Sequence, residues 1–134
     1  MAPRSGARAP ALAARAGGGA VIEGYGFGRI RIGGREYTRD VIVRADGTVH
    51  SPWWRAEGHS LAVEDLGPLL DEPPGILVVG TGYHGRMAVP EETRAALEAR
   101  GMDVRALPTR EAVAEFNRLA RRSTAVAAAL HLTC

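Results

Sequence analysis

The sequence has 134 residues, enough for one domain with a buried core and too few for two comfortable ones. Its apolar fraction of 46% and charged fraction of 24% are close to globular averages, and no apolar run reaches the ~18 residues of a transmembrane helix. All 17 basic residues are arginine, which is typical of a GC-rich bacterial genome. Without residues 1–19 the net charge changes from +2 to −1, with 14 arginines against 15 acids, so the body offers no basic footprint for a nucleic acid.

The first 19 residues contain three arginines and no acid. Mitochondrial transit peptides and disordered bacterial extensions share this composition. The Pro and Gly residues interrupt any amphipathic helix and favour a disordered extension. Residues 20–134 are then a single domain. Cys134 is the only cysteine, so no intrachain disulfide can form, and a reducing, cytoplasmic setting is expected.

The first half of the domain is predicted to be mainly β structure. Residues 21–50 favour a three-stranded meander, in which GRIRI alternates arginine with isoleucine, GG turns the chain, YTRDVIVRA continues it and DG turns it again. The segment SPWWRAEGHS carries both tryptophans. LAVEDLGPLLDEPPG then predicts a short helix that ends at its prolines.

The second half alternates strands with helices. Ile76 to Val79 is predicted to be a strand in the middle of a sheet, buried on both faces. Residues 90–100 predict a helix with Pro90 at its first position, and MDVRAL predicts the next strand. Thr109 is expected to cap a second amphipathic helix, and TAVAAALHLTC favours a closing strand over a helix. This order predicts a helix-covered sheet that is at least partly parallel.

The loop GTGYHGR, residues 80–86, has the glycine spacing of a dinucleotide-binding turn. Such a turn opens directly into a helix, but RMAV intervenes before Pro90. The ribose-binding acid should lie near the end of the next strand, whereas Asp103 lies at its beginning. We therefore expect a structural or generic ligand-binding loop. An anion pocket that uses His84 and Arg86 and a plain surface turn remain alternatives.

Several segments, taken together, resemble a known family of small domains. They are YTRDVIV (Tyr37, Asp40), WWRAEGHSL (Trp54, His59), LVVGTG (Gly80, Gly82), PTREAVAEFNRLA (Thr109, Ala112, Val113, Asn117) and the ending HLTC (His131, Thr133, Cys134). The resemblance covers about residues 21–134. This domain-of-unknown-function family includes the adipogenesis-associated protein and a mitochondrial complex I (NADH dehydrogenase) assembly factor.

The resemblance implies a three-layer α/β domain. Its central mixed sheet carries packed helices and an additional N-terminal β layer, and its final strand runs antiparallel to its neighbours. No established enzyme activity is implied. The eukaryotic relatives look like accessory or assembly proteins, and the HLTC ending is more similar to the adipogenesis-associated branch than to the complex I branch.

Eight residues are candidates for a pocket around the glycine loop: Asp40, Trp54, His59, Gly80, Gly82, His84, Arg86 and Asn117. A carboxylate within an apolar strand segment needs solvent, an arginine or a pocket, and the simplest arrangement for Asp40 is a salt bridge to Arg39 or Arg86. His59 can line a cleft beside the tryptophans, although a hydrogen-bonded structural histidine is the simpler interpretation. The amide of Asn117 is expected to hold a neighbouring loop backbone.

The two chemically versatile residues of the ending are His131 and Cys134. In an extended tail, residues three apart point to opposite faces, so they are not expected to share a metal ion. The sequence contains no Gly-x-Ser-x-Gly motif and no Walker loop. No catalytic residue, metal or cofactor is predicted.

These observations favour a non-enzymatic accessory or binding protein of the cytoplasm. The expected partner is a protein or a small anionic ligand, with no nucleic acid and no membrane insertion, and the chain is expected to be a monomer or a weak homodimer. The alternative is a small-molecule enzyme or anion-binding protein that uses the same pocket, with His59 or His84 as acid or base and Arg86 holding an anion.

Overall fold

The computed structural model of the chain describes residues 21–123 and 125–134. These residues form two β-sheets and three α-helices. The predicted extension at residues 1–19 lies outside the described residues. The longest described helix has 12 residues, and none in this part of the chain has the length and apolarity that a membrane crossing requires.

The first sheet is an antiparallel meander of three short strands, β1 (Ile22–Gly26), β2 (Arg29–Ile32) and β3 (Arg35–Tyr37). The alternation in GRIRI has the expected effect, because the isoleucines of β2 are buried and its arginines are exposed. The prediction of a single meander over residues 21–50 is wrong in its extent. The chain leaves this sheet after Tyr37, and the apolar residues that follow join the second sheet.

The second sheet has five strands in the order β5-β4-β8-β6-β7. Their bounds are β4 (Val41–Val43), β5 (Val49–His50), β6 (Ile76–Thr81), β7 (Asp103–Leu107) and β8 (Val126–His131). The predicted final strand is therefore present, and β6 lies inside the sheet as expected. Strand β8 is antiparallel to β4 as predicted, but it is parallel to its other neighbour, β6. Parallel pairing arises because helical crossovers return the chain to the same end of the sheet.

Helices and the small sheet cover the two faces of the central sheet. Helix α3 (Thr109–Ala120) and the small sheet share one core cluster, which includes Phe116 and Ile30. Helices α1 (Gly67–Leu70) and α2 (Glu91–Ala99) share the other with Trp53. Alternate residues of β6 and β8 point into the two clusters. The predicted three-layer α/β domain with an additional N-terminal β layer is confirmed.

The helix starts differ in detail from the sequence prediction. Helix α2 follows Pro90 and α3 follows Pro108, and neither start has a side-chain cap. The prediction that Thr109 caps α3 is wrong, because Thr109 is the first residue of the helix. Its buried hydroxyl instead contacts the loop after β6 and the end of β8.

Candidate functional site

Polar side chains from distant parts of the chain meet where β8 ends. Asp40 directly precedes β4, and His131 is the last residue of β8. The start of β4 pairs with the end of β8, since Val41 is opposite Leu130 in the antiparallel ladder, and this brings Asp40 beside His131. The remaining members come from the loop after β5 and from the residues after β8. We call this group the β8-end cluster; it consists of Asp40, Arg55, His59, His131 and Cys134.

The carboxylate of Asp40 organises the cluster. Its Oδ1 accepts a hydrogen bond from the Leu132 N–H at 2.8 Å, and its Oδ2 accepts one from Arg55 Nη1 at 2.8 Å. Oδ2 also lies 2.8 Å from Nδ1 of His131. The predicted partner was wrong: Asp40 forms its salt bridge with Arg55, whereas the Arg39 guanidinium lies 5.8 Å from the Trp54 ring centroid.

Burial and hydrogen bonding act in opposite directions on Asp40. Burial alone would raise the pKa of its carboxyl group. The hydrogen bonds with His131, the Leu132 N–H and Arg55 outweigh that effect, so the pKa of Asp40 lies below its ordinary value. The side chain is therefore a carboxylate that only accepts hydrogen bonds.

This charge state decides which nitrogen of His131 carries the proton. Because the carboxylate cannot donate, the 2.8 Å contact requires that Nδ1 donates its proton to Oδ2. Arg55 Nη2 lies 3.1 Å from the same Nδ1, which carries a proton and therefore cannot accept. Arg55 Nη2 donates to the Gly58 carbonyl at 3.2 Å. In the neutral ring the lone pair then lies on Nε2. Among the described residues, Nε2 of His131 and Nε of Arg55 are buried without a hydrogen-bond partner.

Cys134, three residues after the end of β8, lies beside His131 and His59. The strand ends at His131, and Cys134 has a φ of 50°, in the left-handed region. One ligand-capable atom each of His59, His131 and Cys134 lies within 4.8 Å of the others. The expectation that His131 and Cys134 point to opposite faces is therefore wrong, because it assumed an extended tail.

The loop after β6 uses its backbone amides internally. Gly82 N–H donates to Thr109 Oγ1 at 2.8 Å, Tyr83 N–H to the Thr133 carbonyl at 3.3 Å, and Arg86 N–H to the main-chain oxygen of Cys134 at 3.3 Å. A phosphate-binding turn needs such amides to face the ligand. The geometry of this loop thus matches a structural turn that holds residues 133 and 134 over the end of β6.

Two of the loop glycines are needed for these close contacts. A Cβ at Gly80 would lie 2.7 Å from Thr109 Oγ1, and one at Gly82 would lie 2.6 Å from the Thr133 carbonyl oxygen. Gly82 also has a φ of 113°. The glycine spacing noted in the sequence therefore accommodates the protein's own chain.

Aromatic rings, of which Phe27, Tyr83 and His84 are exposed and Tyr25 is partly buried, form a second feature next to this loop. Phe27, in the turn between β1 and β2, is 57% exposed, and its ring centroid lies 5.4 Å from that of Tyr83 in an edge-to-face arrangement. His84 lies 5.1 Å from Tyr83, Tyr25 lies 6.2 Å from it, and the Arg110 guanidinium stands 5.5 Å from its centroid. We call these five residues the aromatic surface.

The eight predicted pocket residues have different surroundings. Asp40 and His59 belong to the β8-end cluster, Gly80 and Gly82 contact residues beside it, and His84 belongs to the aromatic surface. Arg86 is bound to Cys134 through its backbone, and its side chain is exposed. Trp54 is 69% exposed and lies against Arg39. Asn117 is hydrogen-bonded to the backbone of β1.

Sequence reasoning missed Arg55 and the internal role of Thr109. Arg55 lies next to Trp54 in a loop with no regular pattern, so no local signal distinguished it from the other arginines. Its guanidinium stands 4.7 Å from the Trp53 ring centroid, and its charge pairs with Asp40 across 15 positions of sequence. The threonine was interpreted as a helix cap because its position suits one.

A separate open concavity lies at another place on the surface. It has a volume of about 420 Å³ and lies between the β4–β5 turn and α1, where Arg44, Asp46, Pro68, Glu72 and Pro74 line it. No residue of the β8-end cluster or of the aromatic surface lines it.

Two chemistries suit the donors of the β8-end cluster. A carboxylate that fixes an imidazole beside a thiol can activate the thiol as a nucleophile. Two imidazoles and a thiolate can also bind a transition-metal ion, with the carboxylate orienting one ligand.

The described residues have an α/β fold with an attached antiparallel sheet. Residues 22–131 match the family described as a protein of unknown function (DUF498/DUF598), and the chain belongs to this family. The family resemblance inferred from the sequence motifs is thereby confirmed.

Solved structures share this fold over nearly their whole length. A conserved hypothetical protein from Pyrococcus horikoshii OT3 is 28% identical, with a TM-score of 0.71 over 84% of this chain and 98% of that one. The protein MT938 is 30% identical, with a TM-score of 0.72 over 86% of this chain and 99% of its own. A Bordetella pertussis protein described as a Mth938-like domain is 23% identical, with a TM-score of 0.68 over 93% of this chain and 92% of that one. At this identity the similarity shows only that the fold is shared.

Proposed function

We propose that the protein is a non-enzymatic accessory protein of the bacterial cytoplasm, similar in role to an assembly factor, that binds a partner protein through its aromatic surface. The observation that carries this proposal is the exposure of Phe27 at the tip of a turn. Exposed aromatic rings that pack against one another are a feature of protein-binding surfaces, where they dominate binding energy.

The chemistry of the aromatic surface favours a partner segment in which an apolar side chain lies close to an acidic one. Phe27 and Tyr83 offer ring faces and edges, and Arg110 places a positive charge above Tyr83 while its Nη2 lies 3.4 Å from the Tyr83 hydroxyl. An apolar side chain would pack against Phe27. A neighbouring carboxylate would pair with Arg110, a group suited to planar acceptors.

The enzyme alternative has one observation in its favour, the Asp40–His131 pair beside Cys134. A thiol nucleophile also needs donors that stabilise the developing oxyanion. The amides of Tyr83 and Arg86, which lie against residues 133 and 134, already donate to main-chain oxygens of those residues. Binding is therefore the better-supported function.

Site-specific crosslinking tests the proposal. The photoreactive residue benzoylphenylalanine is placed at position 27, or at position 54 as a control, because Phe27 and Trp54 are both exposed aromatic residues. We expect one crosslinked protein from position 27 that is absent from position 54. That protein is then purified and titrated with the unmodified chain and with two variants.

In this titration Phe27→Ser should weaken 1:1 binding about tenfold or more, the effect of removing a binding hot spot, whereas Trp54→Ser should not. Equal affinity of the two variants for the partner would contradict the proposal. A crosslinking pattern that is the same from both positions would also contradict it.

A further inference from the structure

We propose that His59, His131 and Cys134 bind one divalent transition-metal ion of borderline softness, for which Zn²⁺ is the best match. This site is separate from the aromatic surface and goes beyond the proposed binding function. Two imidazoles and a thiolate are the donors that Zn²⁺ uses most often in proteins.

The side chains of the three residues converge in the fold. Their ligand-capable atoms lie within 4.8 Å of one another, and the rings of His59 and His131 have centroids 6.4 Å apart at an interplanar angle of 68°. In a tetrahedral Zn²⁺ site, bonds of about 2.0–2.3 Å place ligand atoms about 3.3–3.8 Å apart. Because 4.8 Å is the upper limit of these separations, the ligand atoms need to approach one another by at most about 1.5 Å.

His59 is the ligand that can supply this movement. Its side chain is exposed, so it can change rotamer freely. Its backbone stays fixed, because its carbonyl accepts a hydrogen bond from Ala88 N–H at 2.7 Å and the adjacent Ser60 forms a bridge with Ala88. His59 thus has a fixed backbone and a ring that can change its orientation.

His131 is prepared for ligation. Its side chain is only 8% exposed, and Nδ1 is held by Asp40, so the remaining lone pair lies on Nε2. Within the described part of the chain, Nε2 has no partner although it is buried. A buried polar atom without a partner is costly, and a bound cation would satisfy it. A carboxylate that orients a metal-binding histidine through its other nitrogen is a recurrent arrangement.

The local charges also suit a cation. Metal binding releases the proton of the Cys134 thiol, so the thiolate and Asp40 would supply two negative charges, and Arg55 supplies one positive charge that pairs directly with Asp40. The groups around the bound ion would therefore carry a net negative charge. Three protein ligands leave a fourth position for water.

Metal titration of the purified full chain tests the site. After treatment with a chelator, the protein is titrated with Co²⁺, whose thiolate charge-transfer absorption reports ligation by sulfur, and the bound Co²⁺ is then displaced with Zn²⁺. Equilibrium dialysis with Zn²⁺ alone measures affinity and stoichiometry. We expect one ion per chain and a charge-transfer band that disappears in Cys134→Ser.

The other histidines provide matched controls. His59→Ala and Cys134→Ser should each lower Zn²⁺ affinity at least about tenfold, whereas His50→Ala and His84→Ala, both of exposed residues outside the site, should leave it unchanged. Asp40→Asn should lower affinity by about 10- to 100-fold, since outer-sphere partners have effects of this size. Circular dichroism verifies that each variant is folded.

Two results would overturn the proposal. One is a Zn²⁺ affinity that is the same in His59→Ala, Cys134→Ser and His50→Ala. The other is the absence of thiolate charge-transfer absorption with Co²⁺ in the folded, reduced protein.

Discussion

The side-chain amide of Asn117 forms a reciprocal pair of hydrogen bonds with the backbone of Ile22. Nδ2 donates to the Ile22 carbonyl at 2.8 Å, and the Ile22 N–H donates to Oδ1 at 3.0 Å, across 95 positions of sequence. The amide thus acts like a neighbouring strand and attaches the small sheet to α3. The sequence prediction that this amide holds a neighbouring backbone agrees with the contact, although the backbone belongs to β1 and not to a loop.

Asn117→Leu should destabilise the protein by about 1–3 kcal/mol, because it leaves two partly buried backbone groups of Ile22 without partners. Urea unfolding followed by circular dichroism measures the change. Glu111→Gln, which changes an exposed residue in the first turn of the same helix, should stay within about 0.5 kcal/mol of the parent. Equal stabilities for the two variants would contradict the assigned role.

Thr109→Val should cost about 2 kcal/mol or more, because the hydroxyl both accepts from Gly82 N–H at 2.8 Å and donates to the His131 carbonyl at 2.6 Å. The matched control is Thr93→Val. That hydroxyl is also buried, and among the described residues it makes one hydrogen bond, which it donates to the Leu61 carbonyl at 2.9 Å. Thermal and urea unfolding should show the larger loss in Thr109→Val, and the reverse order would disprove this explanation.

Gly82→Ala separates steric overlap from backbone strain when it is compared with Gly101→Ala. Both glycines have φ near +100°, but only Gly82 faces other atoms, with the Thr133 carbonyl oxygen 2.6 Å from the added Cβ. Gly101→Ala should show the strain alone, and Gly82→Ala should cost about 1–3 kcal/mol more, as overpacking does. Urea midpoints give the difference. If the two variants lose the same stability, residues 133 and 134 do not pack on Gly82.

Because of Tyr25, the free energy of unfolding should depend on pH in the alkaline range. Burial raises the pKa of its hydroxyl to about 12, and the hydroxyl donates to the Leu132 carbonyl at 2.8 Å. The folded value lies above the unfolded value of about 10, so this contribution is fully present below pH ~10 and is lost as the pH rises through ~12.

The stability advantage of the parent over Tyr25→Phe should therefore shrink between these pH values. Urea unfolding of both proteins across the range measures this advantage, and an absorbance titration of tyrosinate should lose the step near pH 12 in the variant. An advantage that does not change with pH would refute the assignment.

Local patterns in the sequence were sufficient for the elements with strong periodicity or clear boundaries. The run from Ile76 and the apolar face around Phe116 were recognised because a buried strand and an amphipathic helix have distinct spacings. The family motifs added the small sheet as a separate layer. The change of sheet between Tyr37 and Val41 was missed, because strand propensity is the same on both sides and only tertiary packing decides which sheet a strand joins.

The contacts of the β8-end cluster could not be predicted from local patterns either, because they also depend on tertiary packing. Asp40 and His131 are 91 positions apart, and nothing near either residue identifies its partner. The closeness of Cys134 to His131 depends on the path of the chain after β8, and the assumption of an extended tail concealed it.

The position of β8 between β4 and β6 also affects how the nascent polypeptide folds. This strand is made after the other four strands of the sheet, yet it separates two of them. Until it is available, β4 and β6 keep backbone edges that can pair with other molecules. Assembly must therefore wait for distant segments to meet, which slows folding and makes truncated chains prone to aggregation.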